Sequence, residues 1–303
     1  MPRYKLTIAY DGTDFCGWQK QTPYEDSVPE GLSLGAVVTE QKCDVAVVAD
    51  VGDGAAIAIV RERIVLRTVQ EVVERAVREV VREPIVLMGA SRTDSGVHAR
   101  GQVGAFTCAN GETRGIGWPA ERGTLGLVKA INARLPRDVL VMGIEPAEED
   151  FNPIRGATRK LYSYTIWNSA SRALWDRRTA VHVWERLDVN AMREAGSIIE
   201  GEHDFAAFAA AGHGRLSTVR TVFACRVREE EAVGDADARR IVLEVEGNGF
   251  LWNMVRIIAG TLAEAGRGRM TPERIREALA TGKRELTGPT MQPHGLCLEW
   301  IRY

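Results

Sequence analysis

Thr68-Val69-Gln70-Glu71-Val72-Val73-Glu74-Arg75-Ala76-Val77-Arg78-Glu79-Val80 is the stretch on which the fold turns. Thr68 and Glu71 stand at capping-box spacing, where each side chain satisfies an amide that the first helical turn leaves open. Val69, Val72, Val73, Ala76, Val77 and Val80 recur at three- and four-residue steps and Pro84 closes the run, so the stretch reads as a helix with one apolar face. Before it, alternating residues 5–10 predict a strand. After it, residues 85–88 and 102–107 read as strands, 125–135 as a helix ended by Pro136, and 139–145 as a strand. The first half is therefore β-α-β-β-α-β.

The second half repeats that order. Residues 161–167 read as a strand, 189–200 as a helix with Asp188 as N-cap and Gly201 as C-cap, and 221–228 and 240–246 as strands. A helix over 251–265 and a closing strand over 296–302 follow. An extra helix, 272–280, lies between them, with Thr271 capping it, Pro272 in its first turn and Gly282 just past its end. The expected architecture is α+β: two tandem ferredoxin-like units, residues 1–148 and 149–303. Their sheets would join edge to edge into one mixed, largely antiparallel sheet with a central cleft, where ligand sites tend to lie. Residues 22–67 fit neither unit. Within them 45–49 and 55–60, around Gly52-Asp53-Gly54, read as a hairpin of an inserted accessory element.

The chain has 303 residues, 45% hydrophobic and 26% charged, which excludes disordered, collagenous and coiled-coil classes. The first twelve residues hold no apolar run, and the longest apolar stretch, 45–60, is cut by Asp50 and Asp53. Neither secretion nor membrane insertion is signalled. Five scattered cysteines and five scattered histidines suggest no disulfide framework and no metal cluster, and reducing cytoplasm is the expected compartment. The net charge of −2 hides an asymmetry. Residues 22–66 hold eight acids and three bases, whereas 154–186 hold seven bases and two acids with Tyr162, Tyr164, Trp167, Trp175 and Trp184 interleaved. Bases mixed with aromatics suit a surface that grips phosphates and stacks bases; the same pattern also describes a solvated strand face.

Gly89-Ala90-Ser91-Arg92-Thr93-Asp94-Ser95-Gly96-Val97-His98-Ala99-Arg100-Gly101-Gln102 links two strands of the first unit and sets an acid, two arginines and a histidine on a glycine-punctuated loop, the usual build of a catalytic loop on a rigid sheet. Asp94 is the acid best placed for chemistry; the bland alternative is that Thr93 and Asp94 cap a turn. A hydrolase with Ser95 as nucleophile and His98 as base is a poor reading, because three residues along a loop guarantee no contact.

At this loop the chain resembles the tRNA pseudouridine synthase A family, whose signature runs Gly-Ala-Gly-Arg-Thr-Asp-Ala-Gly-Val-His-Ala; Ser91 and Ser95 replace a glycine and an alanine. The likeness continues through residues 10–21, Thr68-Val69-Gln70, Asn132-Ala133-Arg134-Leu135-Pro136, Tyr162-Ser163-Tyr164, residues 249–256 and His294-Gly295-Leu296. It implies a pseudouridine synthase fold and isomerisation of uridine to pseudouridine in the tRNA anticodon stem-loop, at tRNA positions 38, 39 and 40, with no cofactor and no metal. By position, Asp94 matches the nucleophilic carboxylate, Arg256 its ion-pair partner, and Tyr162 the active-site tyrosine that stacks on the target uracil. Leu296 matches the apolar residue at the pocket floor, and Arg92 the arginine that guides the flipped nucleotide. His98, Gln102, Trp18 and Gln19 belong to matching motifs and either meet substrate or hold the loop. The resemblance further implies a homodimer with one tRNA spanning both subunits.

The pattern departs in two places. Phe151-Asn152-Pro153-Ile154 stands where the family reads Phe-His-Ala-Arg, and Lys160 where an arginine is usual, a point charge in place of a bidentate fork. Two alternatives remain beside the leading reading: the same chemistry on other tRNA positions or another RNA, and a non-catalytic RNA-binding module, since ferredoxin-like sheets also bind RNA through exposed aromatics.

Overall fold

The computed structural model describes residues 1–21, 37–50, 56–112, 115–210, 217–232 and 237–303, with 37–50 and 56–65 described by their backbone. Strand β1 (Arg3–Tyr10) buries Tyr4, Leu6, Ile8 and Tyr10, the two-residue period of a strand with one face on the core. Helix α1 (Val69–Val81) starts at Thr68, whose hydroxyl accepts from the Glu71 amide at 3.4 Å, and ends at Arg82 in the left-handed conformation. Its buried face is the predicted one, Val69, Val72, Val73, Ala76 and Val77. Between β1 and α1, β2 (Val37–Asp50) and β3 (Ala56–Leu66) pair antiparallel as a separate two-stranded sheet. This is the expected hairpin, longer than its apolar residues suggest. Its turn at Gly52-Asp53-Gly54 lies outside the described residues.

Strands β4 (Met88–Gly89) and β5 (His98–Thr107), helix α2 (Gly123–Asn132) and strand β6 (Val139–Ala147) complete the first half. Strands β7 (Arg159–Asn168) and β8 (Val181–Val183), helix α3 (Val189–Ile199), and strands β9 (Gly201–Asp204), β10 (Val219–Glu231) and β11 (Arg239–Gly247) follow. Helices α4 (Met254–Gly266) and α5 (Pro272–Thr281) and strand β12 (Leu296–Arg302) close the chain. Among the described residues ten strands form one mixed sheet, ordered β6-β1-β5-β12-β7-β11-β10-β9, with β4 on β5 and β8 on β7. The halves join at a parallel seam, where His98 lies opposite Cys297 and Ala99 opposite Leu298. A Cβ at Gly101 would stand 2.4 Å from the Glu299 carbonyl oxygen, so the strands approach this closely only over a glycine.

Four local expectations are corrected. The strand expected at 85–88 shrinks to Met88–Gly89, because side chains of α1 take up the backbone groups a ladder would use. Glu74 accepts from the Leu87 amide at 2.9 Å, Gln70 donates to the Leu87 carbonyl at 2.7 Å and Arg78 to that of Ile85 at 2.8 Å. Strand β5 begins at His98 instead of Gln102, because His98 and Ala99 meet β12 across the seam. Gly201 opens β9 at φ +112° and caps nothing; α3 ends at Ile199. Helix α4 begins at Met254, three residues later than expected, because Asn253 takes up φ 61°. Sequence reading missed β8 and β9, each too short for a periodicity to register.

Candidate active site

The 89–102 loop is fixed from beneath before its acid meets anything. Gln102, fully buried, donates to the Ser91 carbonyl at 2.6 Å and accepts from the Ser91 and Val103 amides at 3.3 and 3.1 Å. The Thr93 hydroxyl lies 2.8 Å from that of Tyr10, and the Thr93 carbonyl accepts from the Trp18 amide at 3.0 Å. Gly17 makes that approach possible: it sits at φ +88°, and a Cβ there would stand 2.5 Å from the Thr93 oxygen. His98 Nε2 donates to the Arg178 carbonyl at 2.8 Å. Its Nδ1 lies 3.0 Å from the Gly12 amide and 3.2 Å from Asp11 Oδ1, so a neutral ring accepts from the amide and a protonated ring donates to the carboxylate. His98, followed by Thr13, holds the Asp11 carboxyl far below the usual carboxylate range. Neither His98 nor Gln102 lines the cleft above; both support the loop.

That cleft has a volume of about 850 Å³ and is walled by the loop on one side and by residues 250–256 on the other. Asp94 enters it one-third exposed. Its Oδ2 lies 3.2 Å from Arg256 Nη1, and its Oδ1 accepts from the Trp252 indole N–H at 3.2 Å. Arg256 stands in the first turn of α4 and is itself oriented twice, Nε donating to the Met291 carbonyl and Nη1 to Asn253 Oδ1, both at 2.7 Å. Asn253 tolerates the left-handed backbone that sets Trp252 and Arg256 on one carboxylate. The unpaired guanidinium that an apolar helix face could not hold is thus paired from the other half of the sheet.

Tyr162, central on β7 between Leu298 of β12 and Val245 of β11, is almost buried and packs edge-to-face on Phe250 at a centroid distance of 5.3 Å. Burial pushes its phenol up to about 12, so it is protonated at neutral pH. Leu296 lines the same cleft and is 6% exposed. Arg92 lines it with an exposed side chain that has no hydrogen-bond or ion-pair partner among the described residues. Of the seven site residues expected from sequence, Asp94, Arg256, Tyr162, Arg92 and Leu296 therefore meet in one cleft. Sequence reasoning gave no role to Trp252, Phe250 or Asn253. The available signal was a Phe-Leu-Trp-Asn run directly before a helix start, where aromatic residues have no surface helix face to cover.

Close backbone packing holds the arginine's anchor. A Cβ on Gly260 of α4 would stand 1.9 Å from the Pro289 carbonyl oxygen, and Pro289 leads to the Met291 carbonyl that Arg256 grips. Gly260→Ala, which would help an isolated helix, is expected to cost about 1–3 kcal/mol by overpacking and to lower both melting temperature and turnover. A raised melting temperature would contradict this packing.

Burial also raises the phenols of Tyr10 and Tyr164, as it does that of Tyr162. These groups keep a proton in the folded chain that the unfolded chain loses above pH 10, so their contribution is intact below about pH 10 and is lost as pH rises through the folded values. The unfolding free energy from urea titrations should fall from about pH 10 upward, by about 1.4 kcal/mol per pH unit for each phenol, with a shallower fall in Tyr162→Phe. An equal slope in that variant would exclude Tyr162 from the effect.

Comparison with known proteins places the chain, with its carboxylate held by an arginine and an indole beside a buried tyrosine, among the pseudouridine synthases, which are isomerases. A family model described as tRNA pseudouridine synthase matches residues 195–303. The chain is 34% identical over its full length to all of tRNA pseudouridine synthase A 2 of Clostridium perfringens. It is 36% identical, again over the whole of both chains, to the tRNA pseudouridine synthases A of Geobacter sulfurreducens and Moorella thermoacetica. The chain belongs to the tRNA pseudouridine synthase A family. None of its helices, among the described residues, is long and apolar enough to cross a membrane.

Proposed function

We propose that this chain isomerises uridine to pseudouridine in the anticodon stem-loop of tRNA, with Asp94 as nucleophile and no cofactor. The observation that carries the reading is the Asp94 carboxylate inside the cleft, gripped by Arg256 and Trp252 with Tyr162 alongside. In the reaction N1–C1′ breaks, the uracil turns and C5 joins C1′; C5 loses a proton and N1 gains one, so no electron acceptor or group donor is required. The target base leaves its stack at a cost of a few kcal/mol, and stacking on an aromatic such as Tyr162 offsets about 1–3 kcal/mol of it. Arg92, whose guanidinium has no partner among the described residues, steers the flipped nucleotide. Leu296 and Phe250 keep water from C1′, where it would turn isomerisation into hydrolysis. Gln102 and His98 act on substrate only through the loop they hold.

In architecture we read the sheet as two tandem ferredoxin-like units, 1–148 and 149–303, joined at the β5–β12 seam, with 22–67 as an accessory insertion. By family likeness the enzyme works in the cytoplasm as a homodimer with one tRNA across both subunits. Incubation with tRNA tritiated at uridine C5 is expected to release tritium in step with pseudouridine formed in the anticodon stem-loop. Binding without release would leave an RNA-binding module; release with pseudouridine only elsewhere in the RNA would keep the chemistry and discard the site. Light scattering at one protomer mass would remove the dimer.

A further inference from the structure

Two donors hold the Asp94 carboxylate, and neither alone would fix its plane. Arg256 reaches Oδ2 through one nitrogen, Nη1, at 3.2 Å, and the same nitrogen donates to Asn253 Oδ1 at 2.7 Å. One of its two hydrogens is therefore left for the carboxylate, and the planar fork that would grip both oxygens together is not used. A contact at one oxygen fixes the plane poorly, because the terminal torsion of an aspartate is broad and lacks sharp staggered wells. Oδ1 accepts from the Trp252 indole N–H at 3.2 Å and, among the described residues, from nothing else. With a donor on each oxygen the plane is set.

The indole can act as a fixed donor because its turn is itself tied down. Leu251, just before it, is buried, and the Leu251 carbonyl accepts from the Met254 amide at 3.1 Å. The Trp252 carbonyl accepts from the Ala210 amide at 3.0 Å, and Asn253 holds φ 61° on the other side. The backbone is anchored while the ring, half exposed, lies in the cleft. A ring so placed gains little from burial, whereas its N–H is a donor with no acceptor capacity, so the pairing with the carboxylate runs in one direction.

We infer that Trp252 is a positioning residue for the proposed reaction, fixing the plane of the Asp94 carboxylate through its N–H so that the attacking oxygen starts from one orientation in the cleft. Each carboxylate oxygen spends one lone pair on its donor and keeps another for attack. Without the indole N–H the group samples other orientations, and a misplacement of about 1 Å can cost about 10²-fold. The inference rests on Asp94 as the attacking group.

The test reads release of tritium from tRNA labelled at uridine C5 in a single turnover, with enzyme in excess, which separates the chemical step from product release. Affinity for the same tRNA is measured alongside by filter binding. The deciding variant carries benzothienylalanine at position 252, introduced by codon suppression: sulfur replaces the indole N–H and both rings stay, so packing and any stacking on RNA are kept. Its single-turnover rate should fall about tenfold, the scale of one hydrogen bond to a charged group, with affinity within about twofold of the parent. Trp252→Phe should fall at least as far, and it decides the matter if the sulfur form does not fold. A merely structural role, or a ring that only stacks on RNA, would leave the sulfur form at the parent's rate, so a rate within twofold of the parent, or above it, overturns the inference. Absence of tritium release from the unsubstituted enzyme overturns the activity itself, and release from Asp94→Asn within tenfold of the parent overturns the nucleophile; both are separate results.

Discussion

Asp94→Asn should reduce tritium release by on the order of 10⁴-fold or more, the scale on which removal of an attacking group is felt. The amide keeps the shape and can still accept from the Trp252 indole, which now lies 3.2 Å from Oδ1. It loses the charge and the ion pair to Arg256, and with its oxygen kept on Trp252 its NH2 takes the place of Oδ2 and faces the guanidinium donor against donor. Attack at C6, attack at C1′ and removal of a 2′ proton all start from an ionised carboxylate, so the expected loss does not depend on the route. Asp94 is one-third exposed, and Arg256, though mostly buried, keeps the Asn253 and Met291 acceptors, so folding should change by no more than about 1–2 kcal/mol. Affinity for tRNA should hold within about threefold. Asp94→Glu keeps the charge but moves it by one methylene, and misplacement of about 1 Å is enough to cost about 10²-fold. If Asp94→Asn releases tritium within tenfold of the parent, the nucleophile is another group.

Much of the scaffold behind that carboxylate could be read from residue spacing alone, and the failures have physical causes. The α1 face, the Asp188 and Thr271 caps and the closing strand at 296–302 rest on local rules, and they stand as read. The Ile85–Leu87 backbone was misread because its partners, Gln70, Glu74 and Arg78, sit on a helix, and no strand period reports that a side chain is standing in for a ladder. The start of β5 was misread because the residue opposite His98 is Cys297, almost two hundred positions away. The same distance explains the site. Asp94 and Arg256 could be paired before the structure only through motif likeness, since nothing local joins them. Trp252 escaped notice because its role depends on the left-handed turn at Asn253, a conformation that asparagine permits but does not announce.

Replacing Arg256 should separate what the guanidinium does for chemistry from what it does for the fold. It meets three acceptors at once, Asp94 Oδ2, Asn253 Oδ1 and the Met291 carbonyl, at 3.2, 2.7 and 2.7 Å. A lysine ammonium is a point donor on a different stem and cannot reproduce that fork. Arg256→Lys is therefore expected to lose about 10²-fold in turnover, and Arg256→Met about 10³-fold, the range seen when one preorganised charge-stabilising donor is removed. Arg256→Met also strands the Met291 carbonyl, so its melting temperature should fall as well. If loss of structure were the whole cause, Gly260→Ala, which disturbs the same segment from behind, would match it in turnover at equal loss of stability. The decisive comparison is the double variant Asp94→Asn with Arg256→Met. Two groups acting as one unit give non-additive losses, so the double variant should be scarcely slower than Asp94→Asn alone. Fully additive losses would mean that the arginine acts on the tRNA independently of the carboxylate it touches.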